Sequence, residues 1–224
     1  MQRFSPKFIM IDLDGTLVDS VPDLTKSVDE MMLKIGGKPY GEKKVRNWVG
    51  NGVQKLVARA LMNKLEGEVD KDLYNKAYPI FLELYKKNNA KKSRLYDGVL
   101  EALDFIKNNN FKLGCVTNKA EAFTIPLLKE LKIFDKFEII ISGDTLERKK
   151  PDPLPLTHAA EFFNENPKDG LLIGDSISDI KAARAAGFKV ICMSYGYNHG
   201  IDIRTQNPDA VIDSMIKIKN FVTT

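Results

Sequence analysis

Short, continuously apolar segments recur along the chain and alternate with stretches whose apolar residues have helical spacing. A strand that is apolar at every position must be covered on both faces, as in a parallel sheet between two layers of helices. The predicted strands are residues 7–12, 112–117, 137–142, 170–175, 189–194 and 209–213. The predicted helices between them are residues 99–107, 122–131, 154–163 and 177–186. This alternation predicts an α/β fold with an open parallel sheet.

One segment interrupts the alternation. Residues 17–92 show helical patterns and no convincing strand, with helices predicted at 21–35, 43–49, 52–62 and 71–88. The segment is too long for an ordinary crossover and begins directly after the first strand. We therefore predict an all-helical cap domain at 17–92, inserted into an α/β core domain made of residues 1–16 and 93–224. The connections near 17–20 and 91–95 would be hinges.

Composition excludes several classes of protein. The 224 residues are 43% hydrophobic and 29% charged, which is ordinary for a globular protein with its own core. The two cysteines lie in apolar segments, so we expect reduced core residues and a cytoplasmic location. A net charge of +4 is too small to indicate nucleic acid binding. No apolar run approaches the ~18 residues of a membrane helix.

Two carboxylates leave the first predicted strand, in the segment Asp12-Leu13-Asp14-Gly15-Thr16. Residues two apart on a strand point the same way, so Asp12 and Asp14 should enter one crevice at the carboxyl end of the sheet. Such a pair can divide the roles of nucleophile and acid–base group. An acidic turn is the simpler alternative. A calcium loop is disfavoured, because the glycine comes too early and no glutamate follows at the required spacing.

Two further motifs follow later strands. Thr117 and Asn118 end the second core strand and offer a hydroxyl and backbone N–H groups that can bind phosphate oxygens, although the motif taken alone favours a helix N-terminal cap. Lys150 lies between Lys149 and Pro151, and the prolines of this segment would hold a lysine in one place.

Asp175 ends a strand, and Asp179 lies at the start of the next helix. With Asp12 and Asp14 they would concentrate four negative charges, and each like pair at 4 Å costs roughly 4 kcal/mol at an effective dielectric constant of about 20. The site should therefore bind a cation, and all-oxygen ligands suit Mg²⁺. A cation, Lys150 and a hydroxyl together predict a phosphate site.

The series DLDGT, VTN, KKPDP and GDSISD resembles motifs I to IV of the haloacid dehalogenase superfamily, in order and over the whole chain. The resemblance implies a Rossmann-like core and hydrolysis of phosphomonoesters through an aspartyl-phosphate. It implies that Asp12 is the nucleophile and Asp14 the acid–base group. The implied Mg²⁺ ligands are the Asp12 carboxylate, the Asp14 backbone carbonyl and Asp175. The implied phosphate ligands are Thr117, Asn118 and Lys150, and Asp179 would orient Lys150 or a metal-bound water.

The segments WVGNG at 48–52, LVARAL at 56–61 and YGYNHG at 195–200 resemble the bacterial phosphoglycolate phosphatase subgroup of that superfamily. The turn that contains Asn51 and Gly52 opens a helix, and its N–H groups could bind a substrate carboxylate. Arg46 is a candidate charge partner for the same carboxylate. Alternatively, the turn only joins two helices.

The leading hypothesis is a Mg²⁺-dependent phosphatase of a small phosphorylated metabolite, with 2-phosphoglycolate as the expected substrate. One alternative is a phosphatase or phosphomutase acting on another sugar or nucleotide phosphate. An alternative of a different class is a receiver-like signalling module, which also combines acidic residues, a threonine and a lysine. We expect no nucleic acid or membrane partner, and either a monomer or a homodimer.

Overall fold

The computed structural model describes residues 3–223. Its strands are β1 (Phe8–Ile11), β2 (Val18–Asp19), β3 (Arg94–Leu95), β4 (Lys112–Val116), β5 (Ile139–Ile141), β6 (Gly170–Gly174), β7 (Lys189–Met193) and β8 (Ala210–Ile212). Its helices are α1 (Val21–Lys34), α2 (Glu42–Arg46), α3 (Val53–Met62), α4 (Lys71–Asn88), α5 (Val99–Asn108), α6 (Glu121–Glu130), α7 (Leu154–Phe163) and α8 (Ile177–Ala186).

Six strands form one parallel sheet in the order β5–β4–β1–β6–β7–β8. All six strands predicted from the sequence are in this sheet, so the predicted α/β class with a parallel sheet is confirmed. The central strands β1, β4 and β6 are short and almost entirely buried, whereas the edge strands β5 and β8 are partly buried.

Both faces of the sheet are covered. Ile9 and Ile11 of β1 pack in the apolar cluster that includes α5 and α6, whereas Phe8 and Met10 pack in the cluster that includes α7 and α8. This alternation follows from the pleat of a strand, which sends successive side chains to opposite faces. It explains why the interior positions of the strands carry no charged or polar side chain.

Helices α1 to α4 form a third apolar cluster, which Phe123 and Tyr197 of the sheet-bearing part also join. We propose that these helices are the cap; the bounds at 16/17 and 92/93 stay a prediction. The chain enters and leaves this region through a short antiparallel ribbon, in which Val18 pairs with Leu95 and Asp19 with Arg94. The sequence analysis missed this ribbon. Along the described residues, no helix combines the length and the hydropathy needed to cross a bilayer.

Candidate active site

The register of the sheet brings the predicted motifs to one edge. Ile11 of β1 pairs with Cys115 of β4 and with Ile173 of β6, so the residues that follow these strands emerge side by side. A cavity of about 80 Å³ lies there, between the strand ends and the α2–α3 connection. All the predicted site residues line it except Asp179 and Arg46.

Lys150 is the central cation of the site. Its Nζ donates to Asp12 Oδ1 and Asp179 Oδ1, both at 2.7 Å, and to the Val116 carbonyl at 2.8 Å. Asp179 is fully buried, and its Oδ2 accepts from the backbone N–H and hydroxyl of Ser176 at the start of α8. Both Asp179 oxygens are therefore engaged, and one of them fixes Lys150 beside Asp12.

Asp175 is held from two directions. Its Oδ1 accepts from the Thr16 hydroxyl at 2.7 Å, and its Oδ2 accepts from the Tyr197 backbone N–H at 2.6 Å. The chain passes so close that a Cβ on Gly15 would lie 2.4 Å from Asp175 Oδ2, and Gly15 has φ +89°. This turn therefore requires glycine, both for its left-handed backbone and for the space beside the carboxylate.

Burial and the neighbouring charges shift the pKa values of Asp12, Asp175 and Lys150. Burial raises the pKa of Asp12 to about 7, although the charge of Lys150 acts in the opposite direction. Burial and the charges of Asp12 and Asp179 raise the pKa of Asp175 well above its ordinary value. Burial disfavours the ammonium of Lys150, but the charges of Asp12 and Asp179 outweigh it and raise the pKa of Lys150.

The donor set fits a divalent cation. Asp12, Asp175 and Asp179 each offer a carboxylate oxygen, and these atoms lie within 4.8 Å of one another. Lys150 neutralises only one of the three charges in this buried group. The ligands on offer are all oxygens, which Mg²⁺ prefers. The Asp14 carboxylate is not part of this group, and the sequence-based prediction assigned its backbone carbonyl instead.

Asp14 has a partner that the sequence analysis missed. Lys119 Nζ contacts both oxygens of the Asp14 carboxylate at 3.1 Å and donates to the hydroxyl of Tyr85 in α4. Burial disfavours the charge of Lys119, but Asp14 and Tyr85 outweigh this effect and raise its pKa. Lys119 directly follows the Val116-Thr117-Asn118 motif, so its position beside that motif was the available signal.

Thr117 and Asn118 both line the cavity, where Thr117 presents a hydroxyl and Asn118 a side-chain amide. Thr117 Oγ1 accepts from the Lys119 backbone N–H at 3.2 Å, which leaves its hydroxyl proton to donate. The Asn118 amide donates to the Lys150 carbonyl at 2.8 Å and so ties the two motif loops together. Its buried Oδ1 has no hydrogen-bond partner within the described residues.

The turn before α3 reaches across the cavity. Asn51 has φ +66°, its amide donates to the Ser178 hydroxyl at 3.0 Å, and its Oδ1 accepts from Arg59 at 3.2 Å. Arg59 is buried and also donates to the carbonyls of Trp48 and Gly50. Arg59 was given no role from the sequence, although it binds three residues of this turn, Trp48, Gly50 and Asn51.

Arg46 lies elsewhere than the sequence analysis expected. Its Nη2 binds Asp19 Oδ2 at 3.1 Å and Glu42 Oε1 at 2.7 Å, and its guanidinium lies over the Tyr197 ring. These carboxylates already satisfy its charge, and it is not among the residues that line the cavity. The structure thus places Arg46 outside the cavity, where it joins α2 to the β2 segment, and its expected pairing with a substrate carboxylate stays a prediction.

A family model described as haloacid dehalogenase-like hydrolase matches residues 9–193 of the chain. The chain belongs to this family. The resemblance stated from the four motifs is thus confirmed, and the receiver-like signalling alternative is wrong for this hydrolase. The match extends through all four motifs and the helices between the first and second of them.

Several proteins similar to this hydrolase are named phosphoglycolate phosphatase. A protein from Nitrosococcus oceani named phosphoglycolate phosphatase is 60% identical over 97% of each chain. A protein from Pseudomonas aeruginosa named phosphoglycolate phosphatase 1 is 43% identical over 94% of this chain and 77% of its own. A solved structure from Haemophilus somnus, described as a predicted phosphoglycolate phosphatase, has a TM-score of 0.90 and 35% identity, with 98% of each chain covered.

Proposed function

We propose that this hydrolase is a Mg²⁺-dependent phosphoglycolate phosphatase, which converts 2-phosphoglycolate to glycolate and phosphate. The observation that carries the chemistry is the buried Asp12 carboxylate, held by Lys150 at the base of a cavity shared with the α2–α3 turn. The substrate assignment rests on the 60% identity with the Nitrosococcus oceani protein over nearly the whole chain.

Asp12 is the proposed nucleophile. Its Oδ1 is bound to Lys150, and its Oδ2 has no hydrogen-bond partner in the described part of the chain. Oδ2 attacks the phosphorus, the bond from phosphorus to the glycolate oxygen breaks, and the electron pair stays on that oxygen. Lys150 and the Thr117 hydroxyl lie where they can balance the charge on the phosphoryl oxygens.

Asp14 is the proposed acid–base group. In its protonated form, Asp14 gives its proton to the departing glycolate oxygen as the aspartyl-phosphate forms on Asp12. The resulting Asp14 carboxylate then takes a proton from a water molecule, whose oxygen attacks the phosphorus and releases Asp12. One residue thus serves both half-reactions.

We propose that Asp12, Asp175 and the Asp14 backbone carbonyl hold Mg²⁺. When bound, the ion supplies positive charge that lets a phosphate dianion approach the carboxylates. Asp179 contributes by fixing Lys150, because its Oδ1 accepts directly from Lys150 Nζ and its Oδ2 is held by Ser176 at the start of α8.

The proposed function is tested by measuring phosphate release from a panel of small phosphate esters, with and without Mg²⁺. We expect 2-phosphoglycolate to give the highest kcat/KM. A sugar or nucleotide phosphate that is better by more than about tenfold would overturn the substrate assignment. No release from any ester would overturn the phosphatase itself.

Asn51→Ala is expected to lower kcat/KM for 2-phosphoglycolate at least ~10-fold, which is about 1.4 kcal/mol. The variant loses the hydrogen bond to Ser178 and the amide that Arg59 orients, so the turn no longer closes over the substrate's carboxylate end. An aryl phosphate has no carboxylate for the turn to bind and should change little.

Asn63→Ala is the matched control for Asn51→Ala. Asn63 is exposed, has φ +57° and directly follows the last residue of α3, so it reports the strain of alanine in a left-handed conformation away from the cavity. Equal losses of Asn51→Ala on both substrates would mean that the turn is structural only.

A further inference from the structure

A chain of polar contacts joins helix α4 to the proposed acid–base group. The Tyr85 hydroxyl accepts from Lys119 Nζ at 2.5 Å, and the same Nζ contacts both oxygens of Asp14 at 3.1 Å. Tyr85 is fully buried, and Lys119 is 4% exposed. The ammonium of Lys119 therefore contacts Asp14, which follows β1 of the sheet, and Tyr85, which lies in α4.

The Tyr85 ring is held in place by aromatic packing. The Tyr85 ring packs against Phe81, with centroids 5.5 Å apart, and against Phe123, with centroids 4.6 Å apart. Removing a partner from a buried ammonium costs free energy. We therefore expect Lys119 Nζ to keep its contacts with both the Tyr85 hydroxyl and the Asp14 carboxylate. The position of the Asp14 carboxylate therefore depends on how α4 packs against Phe123.

We propose that Tyr85 is a positioning residue, which acts through Lys119 to hold the Asp14 carboxyl group where, in its protonated form, it can protonate the leaving oxygen. Proton transfer to the substrate then depends on the packing of α4 against Phe123. This inference rests on the proposed function, because it takes Asp14 as the acid–base group.

The proposal makes the effect of Tyr85 depend on the leaving group. Glycolate leaves as a strongly basic alkoxide and needs a proton from Asp14, whereas p-nitrophenolate is a weak base and leaves without one. Since kcat/KM covers the steps up to release of the leaving group, a displaced Asp14 lowers it for 2-phosphoglycolate and spares it for p-nitrophenyl phosphate. A general loss of structure would lower both.

The test is Tyr85→Phe in the full chain, assayed with both substrates in Mg²⁺. The ring and its packing remain, and only the hydroxyl is lost. We expect kcat/KM to fall about 10-fold for 2-phosphoglycolate and less than about 2-fold for p-nitrophenyl phosphate. Tyr78→Phe is the matched control on α4. Tyr78 is half-buried, stacks on Tyr74 and makes no hydrogen bond within the described residues, so both substrates should be unaffected.

Lys119→Arg is a second variant, which keeps the positive charge but moves it relative to Asp14 and Tyr85. We expect kcat/KM to fall for 2-phosphoglycolate and to be spared for p-nitrophenyl phosphate, as in Tyr85→Phe. Equal losses on both substrates in the two variants, or no loss on either, would overturn the positioning role. The wild-type enzyme and Asp14→Asn separate this failure from a failure of the proposed function. If the wild type released no phosphate, or Asp14→Asn hydrolysed 2-phosphoglycolate normally, the proposed function would be overturned and this inference with it.

Discussion

Replacing Asp12 with asparagine is expected to abolish phosphate release, by on the order of 10⁴-fold or more, since an amide cannot act as the attacking oxygen. The fold should survive the change. Lys150 keeps its bonds to Asp179 and to the Val116 carbonyl, and the buried carboxylate cluster loses one of its like charges. Phosphate release and thermal unfolding of the same preparation separate loss of chemistry from loss of structure.

Asp72→Asn is the matched control for the Asp12 variant. Asp72 is exposed in the first turn of α4 and does not line the cavity, so its replacement should leave activity within about 2-fold. Activity of Asp12→Asn within about tenfold of the wild type would contradict the nucleophile assignment, because a barrier change of only ~1.4 kcal/mol is too small for loss of the attacking group.

The sheet was predictable because its strands are almost continuously apolar, with lysines only at the first positions of β4 and β7. That pattern arises from burial on both faces and needs no knowledge of partners, so it located all six strands of the sheet. The ribbon of Val18–Asp19 and Arg94–Leu95 was not predictable, because two residues per strand carry no periodicity. Its pairing joins segments that lie on either side of the whole helical insertion.

The core of the site was predictable for a related reason. Parallel strands end at one edge, so residues such as Asp12, Thr117 and Asp175 meet there once their strands are identified. Arg46 and Lys119 show where this reasoning stops. Arg46 was assigned to the substrate from its charge, but its guanidinium binds Glu42 and also Asp19, which lies 27 residues earlier in the chain. Lys119 was passed over because its partners, Asp14 and Tyr85, lie 105 and 34 residues away.

The carboxylate cluster predicts a strict dependence on a divalent cation. Three buried carboxylates share one ammonium, and each close pair of like charges costs roughly 4 kcal/mol at an effective dielectric constant of about 20. A phosphate dianion would add further negative charge to this group. Excess EDTA is therefore expected to stop phosphate release, and added Mg²⁺ to restore it. Full activity in excess EDTA would contradict the metal site.

A measurement of stability tests the same site without turnover. A ligand that binds only the folded state, at 100 times its Kd, stabilises it by about 2.7 kcal/mol, which for a chain of this size raises Tm by about 5–10 °C. We expect Mg²⁺ to produce such a shift in the wild type and a much smaller one in Asp175→Asn, which removes a proposed ligand. Asp97→Asn, at an exposed position outside the cavity, should keep the full shift. An equal Mg²⁺ shift in Asp175→Asn and the wild type would place the ion elsewhere.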